Sequence, residues 1–379
     1  MSTYRFSFPT PIYFGPGVKA QAGECLKTNG SKRVLVVTDR ELSALPVFKN
    51  FEAELERTTG LSVAVYSEIS GNPLKSQVTA GVAAYKQHKA DAIVAVGGGA
   101  PLDVAKAIAL MVSHPGDLFD YAEEKAIPVE GSVPFLIAIP TTAGAGSEVG
   151  NSAVIADDKT RIKKIITSPK LLPRAVFADP EMTLELPKKI IASTGMSALT
   201  HCIEAYLAKG YHPICDGIAL EGLNFCAQAL VPAFHAPHEI EARSAMLMAS
   251  MMGAIAAQKG FGVTHSCARA LSTATDMHYG LANGIMLEYA LKHNTVVAVE
   301  RFTTMSRRIE LADETPANFL RFLKAIKKEI GIPAKLSEVG ITPDQIGTLS
   351  DLAARDSGHV NNPKACTRDD FTRLFTEAL

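Results

Sequence analysis

The first half of the chain alternates unbroken apolar runs with stretches of helical spacing. RVLVVTD at 33–39, LSVAVYSE at 61–68, DAIVAVGGG at 91–99 and PFLIAIPTT at 134–142 each place several apolar residues in succession. Strands without in–out alternation are buried on both faces, as in a parallel sheet covered by helices. The segments LKSQVTAGVAAYKQHKA (74–90) and PLDVAKAIALMV (101–112) carry apolar residues at helical intervals. After DPEMTLELP at 179–187 the valine-rich runs largely stop. Ala-, Leu- and Met-rich stretches with helical spacing follow at 188–208, 214–234, 238–258, 262–275, 280–298 and 315–330. Pro180 and Pro187 punctuate the change, and Pro187 suits a helix start. The pattern predicts an α/β domain over 1–186, with a Rossmann-like parallel sheet, and an all-helical domain over 187–379.

A length of 379 residues fits two domains. The composition, 47% hydrophobic and 20% charged, is that of an ordinary soluble globular protein. A formal net charge of -1 gives no reason to expect nucleic acid as a partner. No apolar run reads as long enough to span a membrane, so no membrane is expected either. The N-terminal MSTYRFSFPTPIYFG lacks an apolar signal core. Cysteines at 25, 202, 215, 226, 267 and 366 form no CxxC pair, and several, in apolar helical contexts, read as buried small hydrophobes. The expectation is a reduced, cytoplasmic protein.

DAIVAVGGGAPLDVAK, 91–106, runs a buried strand into three glycines and then a helix. Gly97, Gly98 and Gly99 let the backbone approach a ligand closely, and the helix start offers free N–H groups to a pyrophosphate. The segment is neither GxGxxG nor a GK[ST] loop. A tight strand–helix turn without a ligand is the plainer alternative. Asp39 ends the first strand. Its carboxylate could accept hydrogen bonds from ribose hydroxyls and repel a 2′-phosphate, or it could simply cap the RELSAL stretch that follows. Thr141, Thr142 and AGAGS at 143–147 form a second permissive loop after a strand.

In the second half, GMSALTHCIEAY at 195–206 puts Ser197 and His201 on one helix face. An acidic residue at 197 would make an Asp/His pair suited to one metal ion. The position carries a neutral hydroxyl instead.

Together these segments resemble the iron-containing, or group III, alcohol dehydrogenase family. The likeness runs from YFGPGV through GGGAPLDVAK, IPTTAGAGSE, DPEMTLELP and GMSALTHCIEAY to HYGLANGIMLEYALKHN at 278–294 and NPK at 362–364. It implies the dehydroquinate synthase-like architecture of a nucleotide-binding domain followed by a helical one. It also implies hydride transfer between NAD(H) and a small alcohol or aldehyde, and a homodimer or larger assembly. By the same resemblance Gly97, Gly98 and Gly99 line the pyrophosphate and Asp39 favours NAD over NADP. Asn72, Asp103, Thr141, Thr142 and Lys163 fall at family positions around the cofactor. Position 100, commonly Ser in the family, is Ala here. The GGGAPLD and IPTTAG segments fit alcohol dehydrogenases better than the sugar-phosphate lyases of the same architecture.

Family members usually hold a divalent ion, often iron or zinc, with one Asp and three His. The resemblance lays these positions on Ser197, His201, His265 and Tyr279, the last in HYG where the family has PHG. His278 is adjacent but off register, and a further family histidine falls on Arg269. Two ligand positions are kept and the anionic one is lost. Two neutral imidazoles with a serine hydroxyl bind an ion weakly, and Arg269 adds opposing positive charge. Three readings follow. The site transfers hydride without metal, with Tyr279, His201, His265 or Arg269 acting on the carbonyl oxygen; this is the favoured one. Alternatively His278 and Asp276 rebuild a metal site, or the protein binds nucleotide without turnover. Arg269 hints at an anionic substrate. His88, His114, His212, His235, His238 and His293 read as surface residues, His359 as lying away from the site, and Glu204 as a structural partner.

Overall fold

The computed structural model describes residues 8, 10–125 and 127–379 of the chain. The unbroken apolar runs become strands of one all-parallel, six-stranded sheet. In chain order the strands are β1 (Ile12–Phe14), β2 (Arg33–Asp39), β3 (Ser62–Ile69), β4 (Ala92–Gly97), β5 (Phe135–Pro140), β6 (Ser152–Ala156), β7 (Lys163–Thr167) and β8 (Ala175–Ala178). The sheet order is β1-β8-β5-β4-β2-β3, and β6 and β7 form a separate antiparallel hairpin. Helices α1 (Ala22–Thr28), α2 (Arg40–Ser43), α3 (Pro46–Thr59), α4 (Lys75–His88) and α5 (Gly99–Met111) accompany the strands.

One sheet face presents Val34, Val36, Val94, Val96, Ile137, Ile139 and Phe177 to Leu26 of α1 and Phe48, Phe51 and Leu55 of α3. Helices α4 and α5 pack on β2 and β4. From β2 the chain proceeds outward to β3. From β4 it proceeds the other way, to β5. The adjacent ends of β2 and β4 therefore form a topological switch point, where open α/β sheets bind ligands beyond their C-terminal strand ends. Asp39 and Gly97 stand at those ends.

The chain divides into two compact units, one of residues 8–142 with 146–185 and one of 186–379 with 143–145 among the described residues. The second holds α6 (Lys188–Leu207), α7 (Pro213–His235), α8 (Ile240–Ala256), α9 (Val263–Thr275), α10 (Tyr279–Asn294), α11 (Val299–Arg308), α12 (Pro316–Glu329), α13 (Ile346–Arg355) and α14 (Arg368–Ala378). Every residue of α6 from Ile191 to Leu207 is buried, as expected for a helix enclosed by α7, α8 and α10. The helical stretch expected over 280–298 ends at Asn294, and a new helix starts at Val299.

One expectation is corrected here. By length and composition, α7 could cross a membrane. Its face of Cys215, Ala219, Leu223, Cys226 and Leu230 is buried, and it packs on α6 and α8, the behaviour of a core helix.

Candidate active site

Each unit carries one cluster of the residues singled out in the sequence. In the first, β4 delivers Gly97 to the sheet edge with φ 148. An L side chain rarely adopts that conformation, and a Cβ there would lie 2.6 Å from Pro101 Cγ. The Gly97 carbonyl accepts the Thr141 N–H at 3.0 Å, and Thr142 lies against Gly98. Gly98 caps α5 with no side-chain hydrogen bond. The first N–H groups of α5, beginning at Gly99, thus lack a side-chain cap at a positive dipole end, a site chemistry suited to phosphate.

Asp39 Oδ1 accepts the Leu42 N–H at 2.7 Å and caps α2. Its other oxygen lies toward Gly97, 3.5 Å from where a Cβ would stand. The capping reading is thus realised, with one oxygen left facing the glycine loop. Lys163 donates to Asn72 at 3.0 Å. Asp103 turns into the unit: Ser147 Oγ donates to one oxygen at 2.5 Å and the Val154 N–H to the other at 3.1 Å.

In the second unit, α6, α9 and α10 bring Ser197, His201, His265 and Tyr279 to one place. The rings of His201 and His265 are 4.8 Å apart between centroids, and those of His265 and Tyr279 are 6.1 Å apart. Gly280 makes the close seat of α10 possible, because a Cβ there would overlap the Ser193 carbonyl oxygen of α6. Phe261 stacks on His265 at 4.0 Å. Arg269 lies 5.8 Å above the Phe261 ring and pairs with Asp356 at 3.1 Å. It also hydrogen-bonds Tyr279.

Asn283 on α10 reaches the Tyr279 hydroxyl. Ser197 Oγ, His201 Nδ1 and His265 Nε2 are buried with no hydrogen-bond partner. Each such atom costs roughly 1–3 kcal/mol unless a ligand meets it. Burial above all, with the Arg269 guanidinium adding to it, holds His201 well below its ordinary range. Tyr279 keeps part of its surface open, but burial of its hydroxyl pushes the phenol up to about 12 against the pull of Arg269.

Donor chemistry decides whether a divalent ion fits here. The acidic position is a serine. The phenol stays protonated at neutral pH. The carboxylate nearest the histidines, Glu204, is spent on His265 Nδ1 and on backbone N–H groups. A guanidinium stands beside the remaining donors. Two imidazoles are left, fewer than the three or four suitably charged groups that hold catalytic ions. Among the described residues, Asp276 and His278 form no group of three His, Cys, Asp or Glu donors within 4.8 Å with His201 or His265. Asp276 ends α9 in the left-handed region (φ 57) and His278 precedes α10. Among the described residues, the one group of three His, Cys, Asp or Glu donors within 4.8 Å is His293, Cys366 and Asp370. There His293 is already bonded to Ala365 O and Arg373, and burial pushes the Cys366 thiol up to about 12.

Three further expectations change. His212 and His293 are buried rather than on the surface. His359 was expected away from the site, yet its Nδ1 lies 3.3 Å from Ser266 Oγ, which donates to Asp356. Asp356, Phe261 and Asn283 were missed. The signal for Asp356 was a lone arginine in an apolar helix, which calls for a counter-ion.

A sequence profile described as iron-containing alcohol dehydrogenase matches residues 9–180, and one for the C-terminal part of the Fe-containing alcohol dehydrogenase family matches 191–379. A 4-hydroxybutyrate dehydrogenase of Cupriavidus necator is 36% identical over 361 residues, spanning 92% of this chain and 93% of its own. An NAD-dependent methanol dehydrogenase of Bacillus methanolicus is 32% identical over 99% of this chain and 100% of its own. The solved structure of a 1,3-propanediol oxidoreductase superposes with a TM-score of 0.95 at 28% identity, covering 100% of both chains.

Proposed function

Because this chain belongs to the iron-containing alcohol dehydrogenase family, we propose that it interconverts a small alcohol and its aldehyde or ketone with NAD(H), and does so without a catalytic metal ion. Bound NADH supplies the hydride. Gly97, Gly98 and Gly99 with the start of α5 receive its pyrophosphate. Asp39 takes the ribose, and Thr141, Thr142, Asn72 and Lys163 surround the remainder. Asp103, bonded to Ser147 and Val154, holds the loop at the edge of this group.

The observation that carries the metal-free reading is the Tyr279–Arg269 pair, with Tyr279 at one of the two lost ligand positions and Arg269 where the family has a further histidine. A carbonyl being reduced gathers negative charge on oxygen. Tyr279 offers it a protonated hydroxyl, and Arg269 supplies a fixed positive charge whose state does not change with pH. Asp356 holds Arg269 in place. It also balances the guanidinium, so an anionic substrate is not part of this reading.

Metal analysis of the purified protein beside NADH-dependent butanal reduction tests it. The expected result is little stoichiometric iron or zinc, with a rate unchanged by chelator. Chelator-sensitive activity restored by one added metal refutes the metal-free mechanism.

A further inference from the structure

Glu204 has no role in the chemistry above, yet its placement is closely specified. It lies on α6 three residues after His201 and is 1% exposed. Its carboxylate accepts the backbone N–H groups of Gly262 at 2.9 Å, Thr264 at 2.7 Å and His265 at 3.3 Å, which belong to the opening turn of α9. It also lies 2.5 Å from His265 Nδ1. Gly262 leaves room for it, since a Cβ there would stand 2.7 Å from Glu204 Oε1. Burial pushes this carboxyl up, but the hydrogen bonds from His265 and Thr264 outweigh burial, and the net shift is downward.

A carboxylate only accepts, so the hydrogen between the two groups sits on Nδ1. In the neutral ring Nε2 then carries the lone pair. That Nε2 is buried and without a partner. Phe261, stacked at an interplanar angle of 25°, holds the ring in place.

We propose that Glu204 is a positioning residue: by taking the Nδ1 hydrogen of His265 it leaves Nε2 as a fixed acceptor for the hydroxyl of the alcohol substrate. The proposal rests on the functional reading above. An alcohol oxygen can donate to Nε2 while accepting from Tyr279. A carbonyl oxygen can do only the second. The locked ring therefore favours the alcohol over the aldehyde.

The test is Glu204→Gln. Glutamine with its oxygen on the Thr264 N–H turns an N–H₂ toward His265 Nδ1, which accommodates it by moving its hydrogen to Nε2; the Gly262 and His265 N–H groups, which shared that carboxylate oxygen, lose their acceptor. In protein labelled with ¹⁵N-histidine, with the signal assigned by its loss in His265→Asn, the unchanged enzyme shows the Nδ1–H tautomer and the variant the Nε2–H tautomer. The KM for butanol rises about tenfold, the worth of one net hydrogen bond, while the KM for butanal does not rise, since an Nε2–H can donate to a carbonyl oxygen, and the affinity for NADH stays the same. A role confined to capping α9 would move both KM values together or neither. An Nε2–H, doubly protonated or metal-bound His265 in the unchanged enzyme overturns the proposal, even if the variant does not fold. A switched tautomer with an unchanged butanol KM also overturns it. If the enzyme turns over neither butanol nor butanal, the functional reading fails on its own, while the spectrum still reports the tautomer.

Discussion

Glu148 is a carboxyl in excess. It is 2% exposed, and its Oε1 has no partner. The buried cation acting on it is Lys106, whose ammonium donates to Ser147 O at 2.6 Å, Ser147 Oγ at 2.9 Å and Ser152 O at 2.8 Å. Asp103 lies 3.8 Å from the same ammonium and is itself hydrogen-bonded, so Asp103 supplies the counter-charge. Burial then pushes Glu148 from 4.5 to about 7, outweighing the attraction of Lys106. Between those two values the folded protein holds a proton that the unfolded chain has released. Stability therefore falls as pH rises through that window, and levels off above it. The shift of 7 − 4.5 = 2.5 units, at 1.36 kcal/mol each, is about 3 kcal/mol. Glu148→Gln imitates the protonated form at every pH. Thermal melts should coincide near about pH 5 and separate as pH rises toward about 8, with the variant melting higher. For a unit of this size about 3 kcal/mol is roughly 6–12 °C. A difference that does not depend on pH, or a wild type that melts higher in alkali, refutes the reasoning.

Two further substitutions address the site. Tyr279→Phe removes the hydroxyl and little volume; turnover in butanal reduction should fall about 100-fold or more with NADH affinity intact, and an unchanged rate removes Tyr279 from the mechanism. Asp39→Asn keeps an oxygen for the Leu42 N–H but removes the charge facing a 2′-phosphate; the NADPH-to-NADH ratio of kcat/KM should rise about tenfold, and no change would assign Asp39 to capping alone.

The sheet was legible where physics left one choice. Val34–Val37 and Ile93–Val96 are unbroken apolar runs and could only be buried strands. β1, with three residues, and β8, with four, are too short to carry a pattern. The β6–β7 hairpin is masked by the charged DDKTRIKK between its apolar stretches. Amphipathic α13 and α14 follow Gly- and Pro-rich turns that break their periodicity into fragments. In the site, the change of chemistry at 197, 269 and 279 could be read from residue type. The partners could not. Glu204 meets His265 across 61 residues of chain, and Arg269 meets Asp356 across 87. Nothing local encodes such pairings. They follow from which helices pack, and that depends on the whole core.

The seat of α10 on α6 separates scaffold from chemistry. The two helices are registered by Gly280 against the Ser193 backbone, a contact that involves none of the side chains at 197, 201, 265, 269 or 279. On α6 and α10, positions 197, 201 and 279 can therefore change without touching the contact that registers the two helices. A pocket framed in this way can exchange one kind of electrophile for another through a series of folded intermediates, and the same property makes it a convenient starting point for laboratory redesign.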